Sequence, residues 1–292
     1  MRRRYKILNM TKKINSYLRS IAALAVIFSG MVTCYSQDRH EVAVSAGGIF
    51  SNLDYDIKQG KLDNSHGFNV GLRYSYYLTP SLSVGLGAEY QYFSTTATFE
   101  SLTDSYVTTD SEGESFEFRY TAKNVEEKQQ VGYFNIPLTL QYEIGDSPAF
   151  YTAIGAKIGF ALNQTFETSI EELSTSGYYP QYDAELLDPR FAGFGNFSSL
   201  SADKQDLDLD MSYAATFEAG IKQITDGNTP IYIGVFFDYG LNNILKKGEK
   251  QELVEYPDSV PVSFKYNSII NSADTNEVKL LAYGLKVRVG IL

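Results

Sequence analysis

Between residues 132 and 160 the chain reads GYFNIPLTLQYEIGDSPAFYTAIGAKIGF, and its apolar residues recur with a period of two. Phe134, Ile136, Leu138, Leu140, Tyr142 and Ile144 alternate with Asn135, Pro137, Thr139, Gln141 and Glu143. After the turn residues GDSP at 145–148 the alternation resumes, setting Phe150, Ile154, Ile158, Phe160 and Leu162 against Tyr151, Ala153, Gly155, Lys157 and Gly159. A period of two specifies strands. The same pattern predicts eight strands, over residues 40–50, 67–78, 82–99, 131–144, 149–163, 210–222, 230–242 and 277–291, with no segment of helical period between them.

The connections fall into two alternating classes. Residues 79–81, 145–148 and 223–229 are short and rich in Gly, Pro, Asp and Asn, as turns are. Residues 51–66, 100–130, 164–209 and 243–276 are long and polar and are expected to be loops. An up-and-down barrel with one plain rim and one elaborated rim gives this alternation, and outer-membrane barrels have short periplasmic turns and long extracellular loops.

The two faces of each strand say which solvent lies outside. In the second strand Phe68, Val70, Leu72, Tyr74, Tyr76 and Leu78 oppose Asn69, Gly71, Arg73 and Ser75. In the last, Leu281, Tyr283, Leu285, Val287, Val289 and Ile291 oppose Ala282, Gly284, Lys286, Arg288 and Gly290. The second face is too poor in charge and too rich in glycine for a surface in water. Small and polar residues suit the narrow interior of an eight-stranded barrel, whose lumen side chains fill. The apolar face then meets lipid. The opposite assignment, a soluble barrel with an apolar interior, is the competing reading. Aromatic residues cluster at two heights: Tyr76, Tyr142 and Phe150 beside the short turns, and Tyr90, Tyr92, Phe134, Phe160 and Tyr239 toward the long connections. Phe134 and Tyr142 are separated by about 26 Å of strand at ~3.3 Å per residue, which tilt shortens toward the ~25 Å apolar band of such barrels.

The first 36 residues have a different composition, with a basic MTKKINSYLRS, an apolar IAALAVIFSGMV and a small-residue TCYSQ, and are expected to be a signal peptide cut after Ser36. Acylation at Cys34 is the alternative. The expected domains are thus residues 1–36, the leader, and 37–292, the barrel. Losing seven leader cations (Arg2, Arg3, Arg4, Lys6, Lys12, Lys13 and Arg19) takes the formal charge from -10 to -17, which argues against a nucleic-acid partner. The only cysteine lies in the leader, so no disulfide is expected after it.

Strand parity points Arg73, Glu89, Lys157, Glu218, Asp238, Lys286 and Arg288 into the lumen, with Lys157, Glu218 and Asp238 expected at similar heights. Unpaired charges in so tight a space are costly, so an ion-paired plug is expected; a proton or ion path is the alternative. Asp206, Asp208 and Asp210 have the spacing of the first ligands of a calcium loop. The turn glycine and distal glutamate of such a loop are missing, and the segment is expected as the top of the sixth strand. No metal or cofactor is expected. The histidines are His40 and His66, and no nucleophile elbow or mature cysteine accompanies them, so no enzyme is expected. Gly85-Leu86-Gly87 follows strand period and is no phosphate loop. Pro137 removes a ladder bond or forces a bulge, since a closed barrel has no edge to hide it.

The hairpin, with its Ile136-Pro137-Leu138 core, short turn and glycine-rich return strand, resembles the PorT-like outer-membrane β-barrel family of Bacteroidetes-type bacteria. The resemblance implies an eight-stranded outer-membrane barrel without implying an activity. The final AYGLKVRVGIL looks like the signal read by the barrel-assembly machinery, although it ends in Leu292 rather than an aromatic residue. The expected function is a structural or interaction barrel whose loops face outward to an envelope or extracellular protein partner. A small pore or a secretion-accessory role is the alternative.

Overall fold

The computed structural model describes residues 39–57, 60–246, 248, 250–256, 262–272 and 275–291. The expected leader, with Cys34, and the terminal Leu292 lie outside the described residues. The strands are β1 (His40–Asp54), β2 (Lys61–Thr79), β3 (Leu82–Thr109), β4 (Ser115–Ile144), β5 (Ala149–Tyr179), β6 (Ala184–Leu186), β7 (Gly195–Ser201), β8 (Gln205–Asp206), β9 (Ser212–Ile224), β10 (Pro230–Gly240), β11 (Val254–Glu255), β12 (Lys265–Tyr266) and β13 (Lys279–Gly290). Among the described residues there are also two 3-10 turns, Arg190–Ala192 and Ile269–Asn271. Eight of the strands close a ring in the order β1-β2-β3-β4-β5-β9-β10-β13, and β13 pairs back onto β1. Every pairing is antiparallel.

Alternation sets the two faces of this ring. Leu72, Leu86, Leu138, Ile154, Phe217, Ile233 and Leu285 all point outward and are exposed. So continuous an apolar belt is far larger than the patches a soluble monomer shows to water. Its opposite face carries Asn69, Glu89, Asn135, Lys157, Glu218, Asp238 and Arg288, all buried in the lumen. The inside and outside expected from parity are those observed.

The expected loops over 100–130 and 164–209 are overturned for much of their length. β3, β4 and β5 run unbroken for 28, 30 and 31 residues, whereas a membrane strand needs about 9–11. The reason is an inversion of the apolar face. In the membrane band of β4 the apolar residues look out. Farther up the same strand Phe116, Phe118, Tyr120 and Ala122 are buried, and Glu117, Arg119, Thr121 and Lys123 between them meet water. Two devices make the change. Leu162 is an extra residue on β5, where the β4–β5 register shifts between Gly132 and Tyr133. Higher up, Glu100, Asn124 and Glu171 all leave their ladders at one level. Asn124 sits there at φ 49°, a left-handed conformation that asparagine tolerates.

Above the membrane the three long strands therefore form a curved wall with an apolar concave face. β6, β7 and β8 pair onto upper β5. The β11–β12 hairpin and the turn Ile269–Asn271 fold across the concavity. Phe118 lies 5.2 Å from Tyr256, 5.6 Å from Tyr106 and 5.9 Å from Phe264 between ring centroids. Phe116 stacks on Tyr179 at 5.1 Å. This crown has its own core, which is continuous with Phe93, Tyr133 and Phe236 at the lumen mouth.

Pro137 costs ladder bonds without a bulge. The β3–β4 pairing stops at Leu86↔Leu138, resumes at Glu89↔Asn135 and keeps the same register. Gly87 faces the gap, and a Cβ there would lie 3.0 Å from the proline Cγ. Glycine at that position makes room for the ring.

Candidate functional site

The lumen is filled in layers. Next to the short turns Glu41 accepts a hydrogen bond from the Tyr232 hydroxyl at 2.6 Å, with the Tyr77 hydroxyl oxygen 3.4 Å away. Glu143 accepts from Tyr77 at 2.8 Å, Gln141 at 2.7 Å and Lys222 Nζ at 2.8 Å. Tyr151 meets Tyr232 edge to face at 5.3 Å, and the Arg288 guanidinium lies 4.0 Å above the Tyr232 ring.

Above this layer the sequence-expected charges gather. Lys157 Nζ donates to Glu89 Oε1 at 2.6 Å and Asp238 Oδ2 at 2.7 Å. Lys286 donates to the other oxygen of Glu89 at 3.0 Å. Asp238 also accepts from Thr216 at 2.6 Å and Gln91 at 3.2 Å. Glu218 lies 3.6 Å from Arg288 and 3.9 Å from Lys286 and accepts from Tyr151 at 2.8 Å. Arg288 donates to Gln141 at 2.6 Å, joining the two layers.

Six of the seven expected residues thus form one connected network, in which every carboxylate has a cation. Along the β9–β10 ladder Asp238 pairs across from Thr216 and Glu218 from Phe236, one inward position nearer the short turn. Arg73, the seventh, points inward but makes no ion pair among the described residues. Its Nε and Nη2 are buried without hydrogen-bond partners over Gly85. The network leaves a cavity of about 40 Å³, lined in part by Arg73, Glu89, Lys157 and Arg288. A polar space of that size is large enough to hold ordered water between these groups.

Parity alone did not single out the tyrosine–carboxylate layer of Glu41, Tyr77, Glu143 and Tyr232. All four sit on inward positions of their strands, so the signal was present. Asp206, Asp208 and Asp210 do not form the top of the sixth strand. β9 begins at Ser212, and the segment belongs to the crown because Leu207 and Leu209 are buried in its core. Asp208 pairs instead with Lys246 at 2.5 Å. Among the described residues no group of three or more His, Cys, Asp or Glu is placed to hold a metal. His66 lies beside Phe50 at 5.5 Å, and His40 Nδ1 is 2.5 Å from the Tyr74 hydroxyl. The structure does not bring the two histidines together.

The crown holds a residue that sequence reading passed over. Glu127 is wholly buried, and its carboxylate accepts from Ser268 Oγ at 2.6 Å, the Ile269 N–H at 2.8 Å, Gln129 at 2.8 Å and Thr168 at 3.4 Å. It fastens the turn Ile269–Asn271 to the wall. Burial pushes its pKa above the usual carboxylate value of 4.5, and the four donors only partly offset this. A raised folded pKa contributes stability that is fully present below the unfolded value and lost as pH rises through the folded one. Hydrogen exchange at residues 262–272, corrected for intrinsic rates, is therefore expected to show protection falling as pH rises from about 4.5. In Glu127→Gln that slope should vanish; an unchanged slope would assign it to another group.

The closed antiparallel ring, its lipid-facing belt and its filled lumen define a transmembrane β-barrel. The family comparison agrees on that class. A protein-family model described as "Outer membrane protein beta-barrel domain" matches residues 35–292, and the chain belongs to that family and to the outer membrane. Among solved structures, the attachment invasion locus protein Ail of Yersinia pestis is 14% identical, with 87% of this chain and 99% of that one covered at a TM-score of 0.33. Neisserial surface protein A (NspA) is 12% identical, with 85% and 96% covered at a TM-score of 0.32. A comparison with curated proteins finds no match.

Proposed function

We propose that this barrel works as a non-conducting mount. Its lumen network locks the ring, and its crown is the surface offered to an extracellular or envelope protein partner. One observation carries the reading: the apolar core of the crown continues into the lumen mouth, above a lumen already filled by paired charges. In this reading the chain is not an enzyme, and it takes no cofactor. Cleavage of the leader after Ser36 and insertion by the barrel-assembly machinery belong to the same proposal. So does the narrower PorT-like assignment, which the Ile136-Pro137-Leu138 hairpin supports.

Protein reconstituted in planar bilayers is expected to show no large, steady conductance. Steady openings that change size in Lys157→Ala or Asp238→Ala would replace this reading with that of a small pore.

A further inference from the structure

β3 has an unpaired edge above the membrane. Its pairing with β2 ends at Lys61↔Thr98, while its pairing with β4 continues up to Thr109↔Ser115. Among the described residues no strand pairs the other side of β3 beyond Thr98. Antiparallel pairing uses only half of a strand's N–H and C=O groups on each side, so residues 99–109 present a row of donors and acceptors that no ladder uses, of which the Ser105 N–H donates to the Asp104 carboxylate at 2.8 Å. Ser101, Thr103, Asp104, Ser105, Val107 and Thr109 are exposed.

Proteins protect such edges with lysine, proline, covering segments or short strands. The stretch FESLTDSYVTT contains no lysine, proline or glycine, and its threonine, tyrosine and valine favour strand. At its base, where β2 begins, lies a cleft of about 680 Å³ lined by Gly60, Lys61, Phe99, Glu100 and Glu126. Along the edge and beside it Glu100, Asp104, Glu126 and Glu252 take part in no ion pair among the described residues. Burial, with the charge of Asp104 added to it, holds Glu252 above the usual carboxylate range. A charge on an edge strand repels most strands but selects one that carries the opposite sign.

We infer that residues 99–109 of β3 receive an extended, lysine- or arginine-bearing segment of a partner polypeptide. That segment is added antiparallel in line with β2, with a cation set against Asp104 and the Glu100–Glu126 cleft. Main-chain hydrogen bonds supply affinity in this mode, and side-chain sites supply selectivity. The inference rests on the interaction reading above. The two fail separately: a conducting lumen overturns that reading in bilayers, whereas the edge is tested with peptides in detergent.

Three synthetic ten-residue peptides of alternating threonine and valine serve as probes, one with two lysines, one with two glutamates and one with lysines plus alternate prolines. The folded barrel in detergent should bind the lysine peptide at least tenfold more tightly than the glutamate peptide and the proline peptide not at all. Amide exchange should slow within residues 99–109. A Glu100→Lys/Asp104→Lys variant that keeps its heat-modifiable gel shift should reverse the charge preference. Equal binding of the proline peptide, protection elsewhere, or no binding of the lysine peptide would overturn the inference. Protection of the edge that grows with protein concentration without peptide would overturn it in favour of a second copy.

Discussion

Replacing Lys157 by methionine should destabilise the barrel by about 3–5 kcal/mol, the usual cost of stranding a buried charge. Lys157 is shared by two carboxylates at 2.6 and 2.7 Å, and its side chain is only 4% exposed. Glu89 keeps Lys286 when Lys157 is lost. Asp238, itself buried, keeps only Thr216 and Gln91, two neutral donors. The loss should therefore be read mainly at Asp238, and a Lys157→Met/Asp238→Leu double variant should recover most of it. The measurement is the denaturant midpoint of refolded protein in detergent. Lys123, paired with Glu172 at 2.9 Å on the outer surface, is the control; both side chains are more than half exposed, and Lys123→Ala should change stability by less than about 1 kcal/mol. A Lys157→Met midpoint equal to wild type would mean that the network does not hold the ring shut.

Phe118→Ala should loosen the crown and spare the membrane ring. Phe118 is fully buried against Tyr106, Tyr120, Tyr256 and Phe264. Deleting a buried phenylalanine ring costs about 3–5 kcal/mol when its surroundings cannot collapse. The concave wall is held by its strand ladders, so the parts free to respond are the β11–β12 hairpin and the turn Ile269–Asn271. Protease cutting and amide exchange within residues 250–256 and 262–272 should rise sharply. The gel shift between boiled and unboiled protein should persist, because the lumen network lies below the substitution. Loss of that shift together with the crown would show that the two storeys unfold as one unit.

How much of this was readable beforehand depends on where each residue lies relative to the water line. In β9, β10 and β13 the alternation gave both faces, because these strands hardly leave the membrane band. In β4 the run Phe116, Phe118, Tyr120, Ala122 alternates as regularly as Phe134 to Ile144, but with the opposite sense. Period reports a strand; it does not report which solvent the apolar side avoids. The charged residues interleaved at Glu117, Arg119 and Lys123 were the available sign that the outer face there is wet. Parity also placed Lys157 and Asp238 in the lumen. Their bond spans 81 residues of chain and skips a strand, so only closure of the ring shows it. Glu127 was hidden altogether. In the run VEEKQQ it reads as one solvated charge among several, and its burial depends on Ser268 and Ile269, which arrive from the far end of the chain.

The unbroken length of β3, β4 and β5 also sets how the molecule carries force. About 55 Å of β3 extends beyond Tyr92 at ~3.3 Å per residue, as one continuous strand from the lipid to the tip of the crown wall. Ladder hydrogen bonds lie across the strands, so a pull on the tip directed away from the cell loads the rungs between β4 and β5 together, in shear, instead of peeling them one after another. Tension applied at the crown is thereby passed down continuous backbone into the ring and its surrounding lipid, and whatever the tip grips is moored to the membrane by the same strands that cross it.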